Sequence, residues 1–311
     1  MNKKLHFNND GTFKIVQFTD VHWQNGKPED LRTSELMEMI IREEKPDFVI
    51  FTGDTVYGDE NNKYLDKALE PVNNAGIPWA TVFGNHDSEW GAGKKELLEI
   101  QKKSTHCLTE AGDSNISGLG NYYLTIREKE NDKPAWIMYF LDSGCLNANK
   151  KVEGYDFIKR DQINWYVKQS ISLRNDFGQL PALCFFHIPL PEYNDVWDFN
   201  KCYGEKNENI CCPNQNSGFF SAMVEMGDVK GVFVGHDHIN DYHGELNGIQ
   251  LCYGRATGYN TYTKDGFSHG ARIILVKKNK KDFKSWLRLD DGTIVRNQPL
   301  HKPEGRIYKN D

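Results

Sequence analysis

The chain has 311 residues, 44 of them acidic and 38 basic, and its net charge of −6 at pH 7 argues against a nucleic-acid platform, which would carry a basic excess. The length is sufficient to bury a large core, so global disorder is not expected. The longest apolar run, Ala135 to Leu141, is far shorter than the roughly 18 residues of a membrane-spanning helix. Residues 1–14 lack the apolar stretch of a signal peptide, so we expect a cytoplasmic protein, with a leader removed earlier as the alternative.

Short apolar runs rich in β-branched and aromatic residues recur along the chain, as is typical of buried strands. The predicted strands are Phe13 to Phe18, Phe48 to Thr52, Trp79 to Phe83, Ala135 to Leu141, Leu183 to Phe186 and Val229 to Val234. Segments with apolar residues at helical spacing lie between them. The predicted helices are Glu29 to Lys45, Lys63 to Asn74, Lys94 to Lys103 and Asp161 to Arg174. This alternation predicts a layered α/β architecture.

After His238 the pattern changes to short alternating strands joined by turns that contain Gly and Asp. These strands are Gln250 to Tyr253, Ala271 to Lys277 and Ser285 to Leu289. The sequence contains no internal repeat, low-complexity tract or Pro/Ser-rich linker. We therefore predict a single domain over residues 1–311, with a core at about 13–276 and antiparallel strands to about 300.

Seven cysteines form an odd and scattered set, unlike the dense, even framework of a small secreted protein. Reduced thiols are the expectation. Cys202, Cys211 and Cys212 lie close together in sequence and leave a disulfide or a structural zinc site open as alternatives.

Five predicted strands end in residues that can bind metal ions, and this regularity is the strongest functional signal in the sequence. The clusters are Asp20-Val21-His22, Gly53-Asp54, Gly84-Asn85-His86-Asp87, His187, and Gly235-His236-Asp237-His238. Ligands bind outside the carboxyl ends of strands in open α/β sheets. We therefore expect these clusters to converge on one site.

The chemistry of these clusters predicts a dinuclear site. Two carboxylates, one Asn carbonyl and four imidazoles suit Zn, Fe or Mn. Seven ligands are too many for one tetrahedral ion and about right for two ions that share a carboxylate. Two acidic ligands leave a pair of divalent ions positive, which attracts a phosphate ester despite the acidic surface.

The ordered motifs DxH, GD, GNHD, H and GHxH resemble those of the calcineurin-like metallophosphoesterase superfamily, in particular its purple-acid-phosphatase-like branch. The strings that carry the resemblance are QFTDVHW, FTGDTVYG, VFGNHDSE, FFHIPLPEY, NSGFF, VFVGHDHINDY and GRATGY, within about residues 13–276. The resemblance implies a four-layer α/β/β/α sandwich, in which two mixed β-sheets pack together and are flanked by helices.

The resemblance also implies the role of each residue at the site. One metal ion would be bound by Asp20, His22, Asp54 and His238, and the other by Asp54, Asn85, His187 and His236. Asp54 would bridge the two ions. His86 would lie beside the leaving oxygen, and Asp87 would orient the His86 imidazole.

One position departs from purple acid phosphatases proper. They resemble GDxxY, in which the tyrosine ligates ferric iron, and their first motif lacks the histidine. This chain has both His22 and Tyr57. We predict that His22 is the ligand and that Tyr57 is a neighbouring pocket residue, with ligation by Tyr57 left open.

Residues outside the ligand set are predicted to contact the substrate. The substrate-binding candidates are Asn85, His86, Arg255, Tyr259 and Tyr57. The alternative for Arg255 is a structural salt bridge, and for Tyr259 it is packing of a loop. The polar segment Glu192 to Phe219 is predicted to be a long loop that covers the site and shapes substrate choice.

The sequence thus predicts a hydrolase in which a metal-bound hydroxide attacks a phosphate ester in line with the leaving oxygen. A phosphomonoesterase is favoured, and a phosphodiesterase acting on a cyclic nucleotide or another small diester is the alternative. A metal-binding scaffold without catalysis is a remote alternative. The expected partner is a small phosphate-ester substrate, with no nucleic acid and no membrane; the oligomeric state and the metal identities stay open.

Overall fold

A computed structural model describes residues 4–303 and contains two β-sheets that pack face to face. Sheet B, the smaller, is formed by β2 (Thr12–Phe18), β3 (Phe48–Thr52), β4 (Trp79–Val82), β12 (Gly270–Lys277), β13 (Phe283–Leu289) and β14 (Ile294–Val295). The strand order is β14-β13-β12-β2-β3-β4. Strands β2, β3 and β4 are parallel, whereas β12 is antiparallel to both of its neighbours, so the sheet is mixed.

Sheet A has nine strands and is also mixed. It consists of β1 (Leu5–His6), β5 (Tyr122–Arg127), β6 (Pro134–Phe140), β7 (Ala182–Phe185), β8 (Cys202–Tyr203), β9 (Val229–Val234), β10 (His243–Leu246), β11 (Ile249–Tyr253) and β15 (Leu300–His301). The strand order is β1-β5-β6-β7-β9-β11-β10-β8-β15. Its centre, β6-β7-β9-β11, is parallel.

Helices cover the outer faces of both sheets. The helices are α1 (Pro28–Glu44), α2 (Asn61–Ala68), α3 (Glu70–Asn74), α4 (Lys94–Gln101), α5 (Arg160–Phe177), α6 (Glu192–Phe199) and α7 (Phe219–Met226). The first four share an apolar core with sheet B, and the last three share one with sheet A. Two mixed sheets flanked by helices confirm the predicted fold class.

A third apolar core joins the two sheets. Phe48 of sheet B packs against Phe140 of sheet A with ring centroids 6.5 Å apart, and Phe140 stacks on Phe185 at 5.4 Å. All three rings are fully buried, and full burial of each contributes about 1.5–3 kcal/mol. This packing fixes the two sheets against each other and therefore fixes the relative positions of their strand ends.

The structure corrects two predicted elements. The predicted helix Lys63 to Asn74 is two helices, because Pro71 near the start of α3 has no N–H with which to continue the hydrogen bonds of α2. The predicted loop Glu192 to Phe219 begins with helix α6, in which Tyr193 and Val196, three residues apart, are buried. It also contains the short strand β8.

Within residues 4–303, the structure bears on the disulfide and zinc alternatives for the cysteines and on membrane-spanning helices. All seven cysteines are free, so the disulfide alternative does not apply. Burial raises the pKa of the Cys202 and Cys211 thiols to about 12, which disfavours the thiolates that a zinc site needs. No helix in this range is both long and apolar enough to pass through a bilayer.

Candidate metal centre

The parallel strands of both sheets deliver the predicted ligands to one place. Asp20, Asp54, Asn85, His187 and His236 each follow the carboxyl end of their strand within three residues. The first three belong to sheet B and the last two to sheet A. The prediction that these residues converge at the carboxyl ends of the strands therefore agrees with the structure.

The histidines and carboxylates form two buried groups. Asp20, His22 and His238 make up the first group, and Asp54, His187 and His236 the second. In each group the three ligand atoms lie within 4.8 Å of one another. We call these groups the Asp20 group and the Asp54 group.

Asp54 lies between the two groups. Its Oδ2 atom is 3.1 Å from Nε2 of His187 in its own group and 3.5 Å from Nε2 of His22 in the Asp20 group. Its Oδ1 atom accepts a hydrogen bond of 2.8 Å from the backbone N–H of His86. One oxygen thus anchors the side chain, and the other is left to face both groups.

The surroundings of His187 show which of its ring nitrogens faces the centre. The Nδ1 atom lies 2.8 Å from the carbonyl oxygen of Thr52 and is therefore the donor. The Nε2 atom lies 3.1 Å from Oδ1 of Asn85 and 3.2 Å from Nδ1 of His236. A backbone acceptor on one nitrogen commonly directs the lone pair of the other toward a metal ion.

Several polar atoms of the two groups are buried without a hydrogen-bond partner. They are His22 Nε2, Asp54 Oδ2, His236 Nε2 and His238 Nδ1. The close contacts of Asp54 Oδ2 with the imidazoles lack hydrogen-bond geometry. An unpaired buried polar atom costs about 1–3 kcal/mol, and a cation beside His22 Nε2 and Asp54 Oδ2, which lie 3.5 Å apart, would satisfy both of these atoms. His236 and His238 instead turn their other ring nitrogens, Nδ1 and Nε2, toward His187 and Asp20. These oxygen and nitrogen donors fit two metal ions of the Zn, Fe or Mn type.

The backbone at the ligands is strained. Asp20, His22, Asp54 and His236 have φ values of 52°, 49°, 51° and 77°, in the left-handed region that side chains other than Gly rarely adopt. Each such residue costs about 1–3 kcal/mol and is typical of functional sites. In this conformation the four side chains lie in the two buried groups.

Two motif glycines allow the close approach of the backbone. A Cβ atom on Gly84 would lie 2.1 Å from Oδ1 of Asp54, and one on Gly235 would lie 1.9 Å from Oγ1 of Thr19. The Thr19 hydroxyl in turn donates a hydrogen bond of 2.7 Å to Asp20 Oδ2. Any larger residue at either glycine would displace a carboxylate of the centre or its support.

The titration of the metal-free centre follows from burial and charge. Burial alone would raise the pKa of Asp54, but the imidazoles of His187 and His22 outweigh it and hold that pKa well below its ordinary value. Burial would lower the pKa of His187, but the Asp54 carboxylate raises it to about 9. Burial, aided by the neighbouring His187, lowers the pKa of His236 to about 3. Without metal, the His187 imidazole is therefore protonated on both ring nitrogens, and positively charged, at neutral pH.

The structure corrects the role predicted for Asp87. Its carboxylate accepts backbone N–H hydrogen bonds from Asp54 (2.9 Å), Thr55 (2.8 Å), Val56 (3.1 Å) and Gly84 (2.7 Å). It therefore holds the turn that carries Asp54 and does not orient the His86 ring. The Nδ1 atom of His86 instead contacts Oε2 of Glu89. Sequence reasoning missed Glu89, although its spacing of three residues from His86 is a detectable signal.

Two predicted substrate contacts are also corrected. Arg255 is 5% exposed and pairs with Asp241, while its Nε donates a 2.6 Å hydrogen bond to the Ser268 carbonyl. The salt-bridge alternative is therefore the observed one. The hydroxyl of Tyr259 donates to Asp290 at 2.9 Å, and its ring lies 3.9 Å from the Arg32 guanidinium. These partners hold the Tyr259 side chain in structural contacts.

Aromatic rings pack against the site imidazoles. Tyr57 stacks on His22 with ring centroids 5.4 Å apart, Tyr155 meets His236 edge-on at 4.3 Å, and Tyr262 tilts over His238 at 4.2 Å. Tyr57 thus lies beside the predicted ligand His22, as expected for a pocket residue. Tyr155 and Tyr262 were missed because no motif or strand end marks them.

The segment after α6 lies against the loop that carries His236 and His238. The backbone N–H of Cys211 donates to the Asp237 carboxylate at 3.2 Å, and Oε1 of Glu208 accepts from the Ile239 N–H at 2.8 Å. Tyr253 also donates to Asp237, at 2.5 Å. The segment therefore supports the ligand loop from one side; its influence on substrate choice stays a prediction.

Comparison with known proteins agrees with this geometry. The calcineurin-like phosphoesterase family model matches residues 13–240. The chain is 36% identical to "Probable inactive purple acid phosphatase 29" of Arabidopsis thaliana, over 93% of this chain and 85% of that protein. It is 32% identical to "Phosphatase DCR2" of Saccharomyces cerevisiae, over 93% of this chain and 55% of that protein.

A solved structure supports the same fold. A dimetal phosphatase from Danio rerio is similar with a TM-score of 0.58 and 14% identity, over 88% of this chain and 98% of that one. The family match spans all the strand-end clusters from Asp20 to His238. The chain therefore belongs to the calcineurin-like phosphoesterase family of dimetal phosphoric ester hydrolases, in its purple-acid-phosphatase-like branch.

Proposed function

We propose that this protein hydrolyses phosphate monoesters at a pair of metal ions held by the Asp20 and Asp54 groups. The observation that carries the proposal is the position of Asp54 Oδ2, which is buried, without a hydrogen-bond partner, and 3.1 and 3.5 Å from imidazole nitrogens of the two groups. A carboxylate oxygen in this position is suited to bridge two cations. Asn85, whose Oδ1 lies 3.1 Å from His187 Nε2, completes the Asp54 side.

The residues of the chain have separate tasks in this reaction. When bound, the two ions would supply Lewis-acid polarisation of the phosphoryl group and activation of the attacking water. His86, whose ring centroid is 5.4 Å from that of His22, is placed to give a proton to the leaving oxygen. Glu89 holds His86 through Nδ1, so Nε2 is the atom left for the substrate.

Charge and shape favour a monoester over a diester. Two divalent ions balanced by Asp20 and Asp54 keep a net positive charge, which attracts a dianionic monoester more strongly than a monoanionic diester. The rings of Tyr57, Tyr155 and Tyr262 also occupy space beside three ligand imidazoles. We expect these rings to crowd the second arm of a diester.

The metal-binding scaffold is the competing interpretation. The word "inactive" in the name of the Arabidopsis relative describes that protein. In this chain the seven predicted ligands and His86 are all present and lie at one edge of the two sheets. A complete set of reactive residues supports catalysis.

The first experiment compares p-nitrophenyl phosphate with bis-p-nitrophenyl phosphate after loading with Zn²⁺, Mn²⁺ or Fe²⁺. We expect the monoester to be hydrolysed with the higher kcat/KM. Preference for the bis-ester would favour the diesterase alternative. Failure to hydrolyse either ester or an alkyl monoester, with two ions bound per chain, would favour the scaffold.

The second experiment tests His86. His86→Ala should lower kcat for glycerol phosphate by about 10²-fold or more, because the departing alkoxide needs a proton. The loss should be much smaller with p-nitrophenyl phosphate, whose leaving group departs without one. Metal content should stay at the wild-type value, and His6→Ala, on the remote strand β1, is the matched control. Loss of metal from His86→Ala would contradict this assignment.

A further inference from the structure

The indole of Trp90 lies beside His86 at the rim of the metal centre. We propose that Trp90 binds a planar aromatic ring carried by the leaving group, so that the preferred substrate class is the nucleoside monophosphates. This inference rests on the proposed function, because His86 locates the side of the centre from which the leaving group departs.

The orientation of Trp90 is fixed although the ring is exposed. The ring is nearly parallel to the His86 imidazole, with an angle of 9° between the planes and 6.2 Å between the centroids. Tyr57 packs edge-on against Trp90 and against His86, at 5.1 Å in both cases. The Asn61 side chain donates to the Trp90 carbonyl oxygen at 2.9 Å. The residue remains 41% exposed, so a broad apolar surface is held in place and left open to solvent.

The position of Trp90 assigns it to the leaving group. The rings of His22, His86 and Trp90 follow one another outward, His22 being a ligand candidate, with centroid separations of 5.4 and 6.2 Å. A phosphoryl group at the metal ions would have its leaving oxygen beside His86. The next group along the leaving alcohol then reaches Trp90. In a nucleoside monophosphate the ribose is the spacer, and the base is the ring that stacks.

The other rings at the centre have different neighbours. Tyr155 and Tyr262 pack on His236 and His238, which are metal-ligand candidates, and the Tyr262 hydroxyl is bound to Glu208. Trp90 stacks on the proposed proton donor. The partly exposed Glu89 carboxylate beside His86 disfavours further phosphate groups on the leaving side. A neutral base fits this side better than a polyphosphate.

The test compares adenosine 5′-monophosphate with ribose 5-phosphate. Both release a primary alcohol of the same sugar, so they differ in the base. We expect the wild-type protein to favour the nucleotide by about tenfold in kcat/KM, the effect of stacking one base on an aromatic ring. Trp90→Ala should abolish this preference, because kcat/KM for the nucleotide should fall by about tenfold more than kcat/KM for ribose 5-phosphate. Trp90→Phe should retain most of the preference.

The matched control is Phe177→Ala, which removes a similarly exposed aromatic ring from the last residue of α5 and should leave the ratio unchanged. A wild-type protein without preference for the nucleotide would overturn the inference. Equal losses with both esters in Trp90→Ala would also overturn it, because Trp90 would then only support His86.

Failure of the proposed function is distinguishable from failure of this inference. If the metal-loaded protein hydrolyses neither ester, calorimetric titration with both esters replaces the kinetic ratio. Tighter binding of the nucleotide that is lost in Trp90→Ala would support the stacking site even then. Equal affinities for the two esters would overturn it.

Discussion

Two buried polar clusters lie next to each other in the molecule and differ in how their polar atoms are paired. In the metal centre, buried atoms of Asp54, His22, His236 and His238 have no hydrogen-bond partner. A few residues beyond His238, Asp241 belongs to a second cluster, which also contains Arg255 and Arg272. Both clusters are almost inaccessible to solvent.

The second cluster pairs its charged groups internally. Arg272 donates from Nε to the Tyr253 carbonyl at 2.5 Å, from Nη1 to Ser285 Oγ at 2.8 Å and from Nη2 to the Asp241 carbonyl at 2.6 Å. The Asp241 carboxylate accepts from Arg255 and, at 2.7 Å, from the backbone N–H of Glu205. Burial and residue type are therefore insufficient to identify a site. The metal centre differs from this cluster in that two unpaired atoms, Asp54 Oδ2 and His22 Nε2, face each other between its groups.

The largest expected effect comes from removing the shared oxygen of the metal centre. Asp54→Asn should lower kcat/KM by about 10³-fold or more, because a neutral amide cannot bridge two cations. Metal content should fall below that of the wild type, while circular dichroism shows an intact fold. Full metal content in Asp54→Asn would contradict the claim that the Asp54 cluster binds metal ions, in contrast to the Asp241 cluster.

The second cluster should respond in the opposite way. Asp241→Ala should lower the free energy of unfolding by about 3–5 kcal/mol, because it leaves the buried Arg255 charge without its partner. Metal bound per folded chain should stay unchanged. Denaturant titration and metal analysis measure the two quantities, and Asp241→Asn, which loses only the charge, should have an intermediate stability. Loss of metal without loss of stability would reverse the proposed roles.

The pair of His86 and Glu89 is intermediate between the metal centre and the Asp241 cluster. Its side chains contact each other, as in the Asp241 cluster, but they are partly exposed. Glu89→Gln should lower kcat for glycerol phosphate by about tenfold with KM and metal content unchanged, because the imidazole loses its orienting carboxylate. The effect should be smaller with p-nitrophenyl phosphate. Glu99→Gln on α4 is the control. Equal effects on both substrates would argue for a structural role.

The smallest expected effect is the release of protons when metal ions bind. His187, with its pKa raised to about 9, must lose a proton to bind a cation, whereas His236, with its pKa lowered to about 3, is already neutral. Metal affinity should therefore rise with pH up to about 9. Calorimetry at pH 7 in two buffers of different ionisation enthalpy should detect proton release, and the release should be smaller above pH 9, where His187 no longer contributes to it. Absence of release at pH 7 would contradict the protonated His187.

The same raised pKa has a consequence for the metal-free fold. The ion pair of His187 and Asp54 stabilises the folded protein fully below the ordinary histidine pKa. This contribution is lost as pH rises through about 9.

Sequence patterns predicted most of the long buried strands well, because runs of apolar, β-branched and aromatic residues mark a buried strand. The run Phe13 to Phe18 became β2 (Thr12–Phe18), and Val229 to Val234 became β9 with the same bounds. The two-residue strands β1, β8, β14 and β15 were not predicted, since so short a segment has no periodicity. The pairing of β1, β8 and β15 also depends on neighbours that are distant in sequence.

The site followed a similar division. Strand-end positions predicted the convergence of the ligands, because parallel strands end at one edge of a sheet. The directions of individual side chains were not predictable. Arg255 turns to Asp241 and Tyr259 to Asp290, and nothing local distinguishes these acids from others as partners. For Asp87, residue type indicated a carboxylate near His86 but not the four backbone amides that it binds.

The hydrogen bond from His187 to the Thr52 carbonyl joins the end of β7 in sheet A to the end of β3 in sheet B. Metal ions bound by both groups would hold sheet A and sheet B together at this place. Loading should slow amide hydrogen exchange at this edge and leave the opposite edge exchanging as before. Binding of the two metal ions would thus hold the two sheets together at this edge and, at the same time, make the centre reactive.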